Sequence, residues 1–64
     1  MSRQYLRAPN GQLLGWIDDR GNELVGFNAN AHRVGRYDKR TNATYDENCH
    51  RIGSGNLLAT LIIR

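Results

Sequence analysis

Asn30-Ala31-His32-Arg33-Val34-Gly35 is the middle copy of a pattern written three times in this chain. Asn10-Gly11-Gln12-Leu13-Leu14-Gly15 precedes it and Asn48-Cys49-His50-Arg51-Ile52-Gly53 follows. The shared form is Asn, any residue, Gln or His, any residue, aliphatic, Gly, with the Asn residues 20 and then 18 positions apart. A pattern that returns at such a period marks an array of small supersecondary units, and the residues around each copy show what the unit is.

In the first unit Gln4–Arg7 reads as a strand, Ala8-Pro9-Asn10-Gly11 as a turn, and Gln12–Ile17 as the returning strand. Pro presets φ at the second turn position, Asn suits the third, and Gly supplies positive φ at the fourth, which makes a type I turn closed by a bulge. Strict alternation after the turn sets Gln12, Leu14 and Trp16 on one side and Leu13, Gly15 and Ile17 on the other. The polar Asp18-Asp19-Arg20-Gly21-Asn22 then turns into Glu23–Phe27. Phe27-Asn28-Ala29-Asn30 turns the second hairpin and His32–Tyr37 returns, with Ala31 where the first unit has Gly11. Ala is uncomfortable in a left-handed slot, so this turn is expected to be weaker or differently shaped. Asp38-Lys39-Arg40-Thr41-Asn42 shares Asp, Arg and Asn with residues 18–22, and the third hairpin follows as Ala43–Tyr45, Asp46–Cys49 and His50–Gly55.

A lone hairpin is marginal in water, so the units must pack on one another. The Gly that ends each motif falls mid-strand, where it is kept for the close approach of a backbone or a ring. Trp16, Phe27, Tyr37 and Tyr45 read first as core. The tail Leu57-Leu58-Ala59-Thr60-Leu61-Ile62-Ile63 is densely aliphatic. Periodicity does not separate strand from helix in so short a run, but its β-branched end and the lack of a convincing capping sequence favour a buried strand. The reading is a single all-β domain over 1–64, with units at 4–22, 23–42 and 43–55 and a closing strand at 57–63. The array is expected to be flower-like or small and barrel-like. The tail closes it in cis or pairs with another chain.

The units Phe27–Tyr37 and Tyr45–Gly53 resemble the "aromatic, Asp or Asn, x, Asn, Gly, x, x, aliphatic, Gly" unit of small β-hairpin repeat domains, above all the four-fold β-flower domain, and more distantly the YD-repeat shells. The resemblance covers residues 4–55, although Gly is missing from the second and third turns and the fourth unit is reduced to an apolar strand. It implies a bacterial or mobile-element source and a binding or structural role, and it transfers no catalytic residue.

The chain has 64 residues, 39% hydrophobic and 23% charged, and a net charge of +3 in which eight arginines stand beside the single Lys39. A domain this small buries only about 60% of its unfolded surface, so core is scarce. The one cysteine, Cys49, excludes an intrachain disulfide and a four-cysteine zinc site, and it reads as a free, partly buried thiol at a turn. No apolar run approaches a membrane span and the first residues lack a signal-peptide core, so the expected compartment is the cytoplasm.

Candidate chemistry is thin. His32 and His50 occupy equivalent places with Gln12 at the third, two ligands where a zinc site uses three or four, so neither a metal nor another cofactor is expected. The carboxylates lie in turns, and Cys49 and His50, as neighbours on a strand, point to opposite faces. No enzymatic activity is expected. The arginines carry the functional hint: Arg33 and Arg51 are equivalent, and on a regular strand they share a face with Gly35 and Tyr37 or with Gly53 and Gly55, while Arg36 points the other way. The candidate binding residues are therefore Arg33, Arg51, Tyr37, Arg36, His32 and His50. The leading expectation is a noncatalytic interaction or structural module that forms homo-oligomers through Leu57–Ile63. The alternative is a nonspecific nucleic-acid binder using the arginine face.

Overall fold

A computed structural model describes residues 2–63. Six strands run β1 (Ser2–Arg7), β2 (Leu13–Asp19), β3 (Glu23–Asn28), β4 (Arg33–Asp38), β5 (Ala43–Asp46) and β6 (Arg51–Ser54), followed by the helix α1 (Leu58–Ile63). Every sequential pair is antiparallel and the strands lie in chain order, a six-stranded meander. The sheet is open: β1 and β6 are both edges, and the barrel-like closure expected from the hairpins does not form.

The three motif-bearing turns share one hydrogen-bond scheme. Gly11 N donates to Ala8 O, Ala31 N to Asn28 O and Cys49 N to Asp46 O, at 2.8, 3.0 and 3.0 Å. Ala8, Asn28 and Asp46 return bonds to the carbonyls of Gln12, His32 and His50. Gly11, Ala31 and Cys49 all adopt positive φ, at 89°, 67° and 66°. Ala31 thus holds the left-handed slot with the same scheme as Gly11, against the expectation of a differently shaped turn. The compensation is visible in the side chains. Asn28 Oδ1 accepts from the backbone N–H of Asn30 and His32, and Asp46 Oδ1 from those of Asn48 and His50. The first turn has Ala at that position and uses Asn10 Oδ1 to accept from Gln12 N. Where Gly is absent, an Asx side chain braces the turn from within.

The tail corrects the sequence reading: residues 58–63 are a helix rather than a closing strand. Its start is capped after all, because Asn56 Oδ1 accepts from Leu58 N at 3.1 Å. Burial then outweighs the β-branched propensity: Leu58, Leu61 and Ile62, spaced as one helical face, are 0%, 5% and 7% exposed against the sheet. Thr44, fully buried, ties the lead-in down by donating to Gly55 O at 2.5 Å and accepting from Leu57 N at 3.0 Å.

The motif glycines are the floor under this tail. A Cβ on Gly15 would lie 2.6 Å from Ile62 Cγ2, on Gly35 2.6 Å from Leu61 Cδ1, and on Gly53 2.8 Å from Leu57 Cδ1. The aliphatic residue before each glycine belongs to the same face. The register shifts by one residue between Leu6 and Arg7, between Gly26 and Phe27, and between Thr44 and Tyr45, each time opposite a motif strand. Leu14 with Gly15, Val34 with Gly35 and Ile52 with Gly53 are thus two residues set against one, a bulge that leaves both on one side. Val34 is buried in the core and Leu14 packs against it, while Ile52, at the β6 edge, is 40% exposed.

This bulge overturns the strict alternation read from sequence. Leu14, Gly15 and Ile17 face the helix; Leu13 and Trp16 face away. One extra residue moves everything before it to the opposite face.

Candidate functional site: the helix-free face

The helix covers the middle of one sheet face, against β2, β3 and β4. On the other face the cross-strand register assembles two rows. The first runs Tyr5, Trp16, Phe27, Arg33 across four strands. The second runs Arg3, Asp18, Val25, Arg36, Tyr45, Arg51 across all six. Arg7 lies beyond the first row, paired with Leu13.

The first row brings three aromatic rings into contact. Trp16 and Phe27 stack with ring centroids 5.5 Å apart and planes 19° from parallel, and Tyr5 leans on Trp16 at 6.3 Å. Such spacings follow from the roughly 4.8 Å between strands. Tyr5 is 51% exposed at the sheet edge. The indole Nε1–H of Trp16 is buried and meets no acceptor among the described residues.

Guanidinium groups lie across these rings. Arg3 sits 5.3 Å from the Trp16 centroid and is gripped by both oxygens of Asp18, at 2.7 and 3.4 Å. The Asp18 bond, ahead of one to Tyr5, raises the Arg3 pKa further above its ordinary value. Arg36 sits 4.5 Å from the Tyr45 centroid, with Glu23 and Asp38 each 3.9 Å from its Nη1. Both are cation–π pairs already matched by carboxylates. Arg7, Arg33 and Arg51 are different: all three are exposed, and among the described residues no carboxylate lies within 4.0 Å of their guanidiniums. Among the described residues five arginines thus meet three carboxylates here, and the surplus charge is at Arg7, Arg33 and Arg51.

The candidate residues read from sequence separate accordingly. Arg33, Arg36 and Arg51 come together on the helix-free face, because the bulges carry Arg33 and Arg51 over from the side alternation assigns them. Tyr37 lies on the opposite face, packed against the core, with its hydroxyl donating to Asn42 Oδ1 at 2.6 Å. His32 and His50 sit at the motif turns, where their backbone N–H groups bind Asn28 and Asp46 and their rings are exposed. His50 Nδ1 is 3.9 Å from Asp46 Oδ2. No group of three or more His, Cys, Asp or Glu gathers to hold a metal among the described residues. Cys49 is exposed, where a partly buried thiol was expected.

Sequence reasoning missed Tyr5 and Arg3 altogether and assigned Trp16, Phe27 and Tyr45 to the core. The signal that finds them is the turn: once each bulge is placed, the register dictates which rings are neighbours. Next to this face Ser2, Arg3, Asp18, Asp19 and Arg20 line an open recess of about 450 Å³. Asp19 is held below its ordinary carboxylate pKa, first by the Gly21 N–H and then by Lys39.

The tail, expected to serve a second copy, has three of its large side chains turned into its own sheet, and Ile63 stays 61% exposed. No helix among the described residues is long and apolar enough to cross a membrane. Comparison with known proteins finds no matching family model, curated protein or solved structure.

Proposed function

We propose that the chain is a noncatalytic interaction module, built of three hairpin units related to the β-flower type, that docks an anionic partner on its helix-free face. The observation that carries this reading is the coincidence, on one sheet face, of an aromatic row with Arg7, Arg33 and Arg51, three exposed guanidiniums that no carboxylate matches among the described residues. Rings and guanidiniums in one plane supply apolar contact and forked hydrogen bonding together, which suits an anion-bearing partner better than either does alone.

A heparin fragment, a polyanion without bases, tests this. Trp16 is the only tryptophan and lies on the face, so its emission reports occupancy. Binding that weakens with salt, and that is abolished in Arg33→Glu/Arg51→Glu but kept in Arg40→Glu, supports the reading; no binding at low salt overturns it. Self-association is a second reading, favoured by the exposure of Ile63, Ile52 and Tyr5 at 61%, 40% and 51%. Light scattering over a range of concentrations at high and low salt decides it, a strict monomer ruling it out.

A further inference from the structure

Resting on that reading, we infer that the anionic partner is a single-stranded nucleic acid, laid across the strands with bases on the aromatic row and phosphates at the unmatched arginines. Two features select it among polyanions. Every base has a flat face that stacks on an aromatic ring, a larger and more planar contact than the C–H face of a sulfated sugar or the side chains of an acidic peptide offers. A duplex, conversely, keeps its bases stacked on one another and offers this sheet only phosphates.

The order of residues along the first row strengthens the assignment. Tyr5, Trp16 and Phe27 are consecutive across three strands and the row ends at Arg33, so a base on the rings places a neighbouring phosphate near a guanidinium with no carboxylate of the described residues beside it. Arg3, fixed by Asp18 over Trp16, extends the stacking surface as a second planar group. Arg7 and Arg51 flank the row on either side. Recognition is by stacking and charge, so sequence preference is weak. The sheet spans six strands, which at about 4.8 Å each accommodates a short footprint, near the lower end of the roughly 4–16 nucleotides of known single-strand folds.

The test titrates the intact chain into labelled oligothymidine, oligouridine, a duplex of equal length and the heparin fragment, reading anisotropy and Trp16 emission. Three phosphates neutralised by Arg7, Arg33 and Arg51 give log K falling against log salt with a slope of about −2. Arg33→Ala should reduce that slope by about 0.7. Tyr5→Ala, at an exposed edge position whose melting temperature checks the fold, should weaken oligothymidine about tenfold and leave heparin unchanged. Oligothymidine and oligouridine binding alike means both backbones are accepted; a preference names the one used. The inference is overturned if the duplex or heparin binds as tightly as the single strands, or if Tyr5→Ala changes nothing, and in either case docking of anions on this face still stands. If no polyanion binds, both fall, and a dimer formed through this face without nucleic acid also overturns the inference.

Discussion

Replacing Gly35 by Ala tests the packing of the tail on the sheet more sharply than any other single change. The added Cβ would lie 2.6 Å from Leu61 Cδ1 and press on the carbonyl oxygen of Tyr45 in the neighbouring strand. The leucine tip can rotate away; the backbone oxygen cannot, so the strand pair itself must spread. Overpacking of this kind costs about 1–3 kcal/mol. Gly26 is the control. It lies under the same helix, but its Cβ would meet only side-chain tips, Leu58 Cδ2 at 3.3 Å and Ile62 Cδ1 and Val34 Cγ2 at 3.5 Å. There the contact is tight but yielding, and the reduced freedom of the unfolded chain returns about 0.4–1 kcal/mol. The two variants should therefore differ by about 2 kcal/mol, or roughly 8–16 °C in melting temperature for a domain of this size. Thermal unfolding followed by circular dichroism, with a urea titration to check that the m-value is unchanged, measures the difference. Gly53→Ala, which meets Leu57 Cδ1 alone at 2.8 Å, should fall between them. Gly35→Ala melting together with Gly26→Ala would refute the claim that the neighbouring strand's backbone closes on Gly35 too tightly for a side chain.

Four further outcomes are expected. Leu58→Ala removes a side chain with no exposed surface and should cost about 2–5 kcal/mol, enough to unfold much of so small a domain at room temperature, as circular dichroism would show. Ala31→Gly relieves a left-handed alanine worth about 1–2 kcal/mol and gives back about 0.4–1 through the unfolded chain, so it should stabilise slightly. Asn28→Ala should cost about 1–2 kcal/mol through its two lost bonds, less when combined with Ala31→Gly, as a double-mutant cycle in urea would measure. Asp19→Asn keeps an acceptor for Gly21 N–H but loses the charge facing Lys39. The folded-state pKa of Asp19 is depressed, so its contribution is present above the ordinary carboxylate value of 3.8 and is lost as pH falls through the lower folded value. Wild type and variant should accordingly differ at neutral pH and converge as melting is followed down to about pH 2.

Much of the architecture was legible in the chain. Pro9-Asn10-Gly11 announces its turn, the two other motif turns follow by analogy, and the strand positions fall out of the spacing. What stayed hidden has two physical causes. Leu14-Gly15 and Val34-Gly35 look like ordinary alternating residues, and only the paired register reveals that each pair opposes a single partner. Sides inferred without the bulges were therefore wrong for Leu13, Leu14, Arg33 and Arg51. The tail is short enough that its period is mute, and its deciding residue, Asn56, reads as a loop asparagine until its oxygen is seen accepting from Leu58 N. The candidate surface suffered from the first cause. Arg33 and Arg51 stood out by repetition, but Tyr5 and Arg3 precede the first motif copy and have no equivalents to draw attention to them.

The two-against-one bulge has an evolutionary corollary. At Leu13-Leu14, Arg33-Val34 and Arg51-Ile52, adjacent letters of the text are addressed to opposite readers, the outer one to whatever meets the sheet and the inner one to the helix side. The outer letter can be rewritten while the inner is held, and the chain already does this, since leucine stands at 13 where arginine stands at 33 and 51. Deleting one letter is another matter: without the extra residue the hairpin falls back into phase, and inner and outer residues trade places along the strand. Lineages descended from such a chain should change what meets the sheet by substitution at 13, 33 and 51 without disturbing the fold, and resist single-residue deletion beside them.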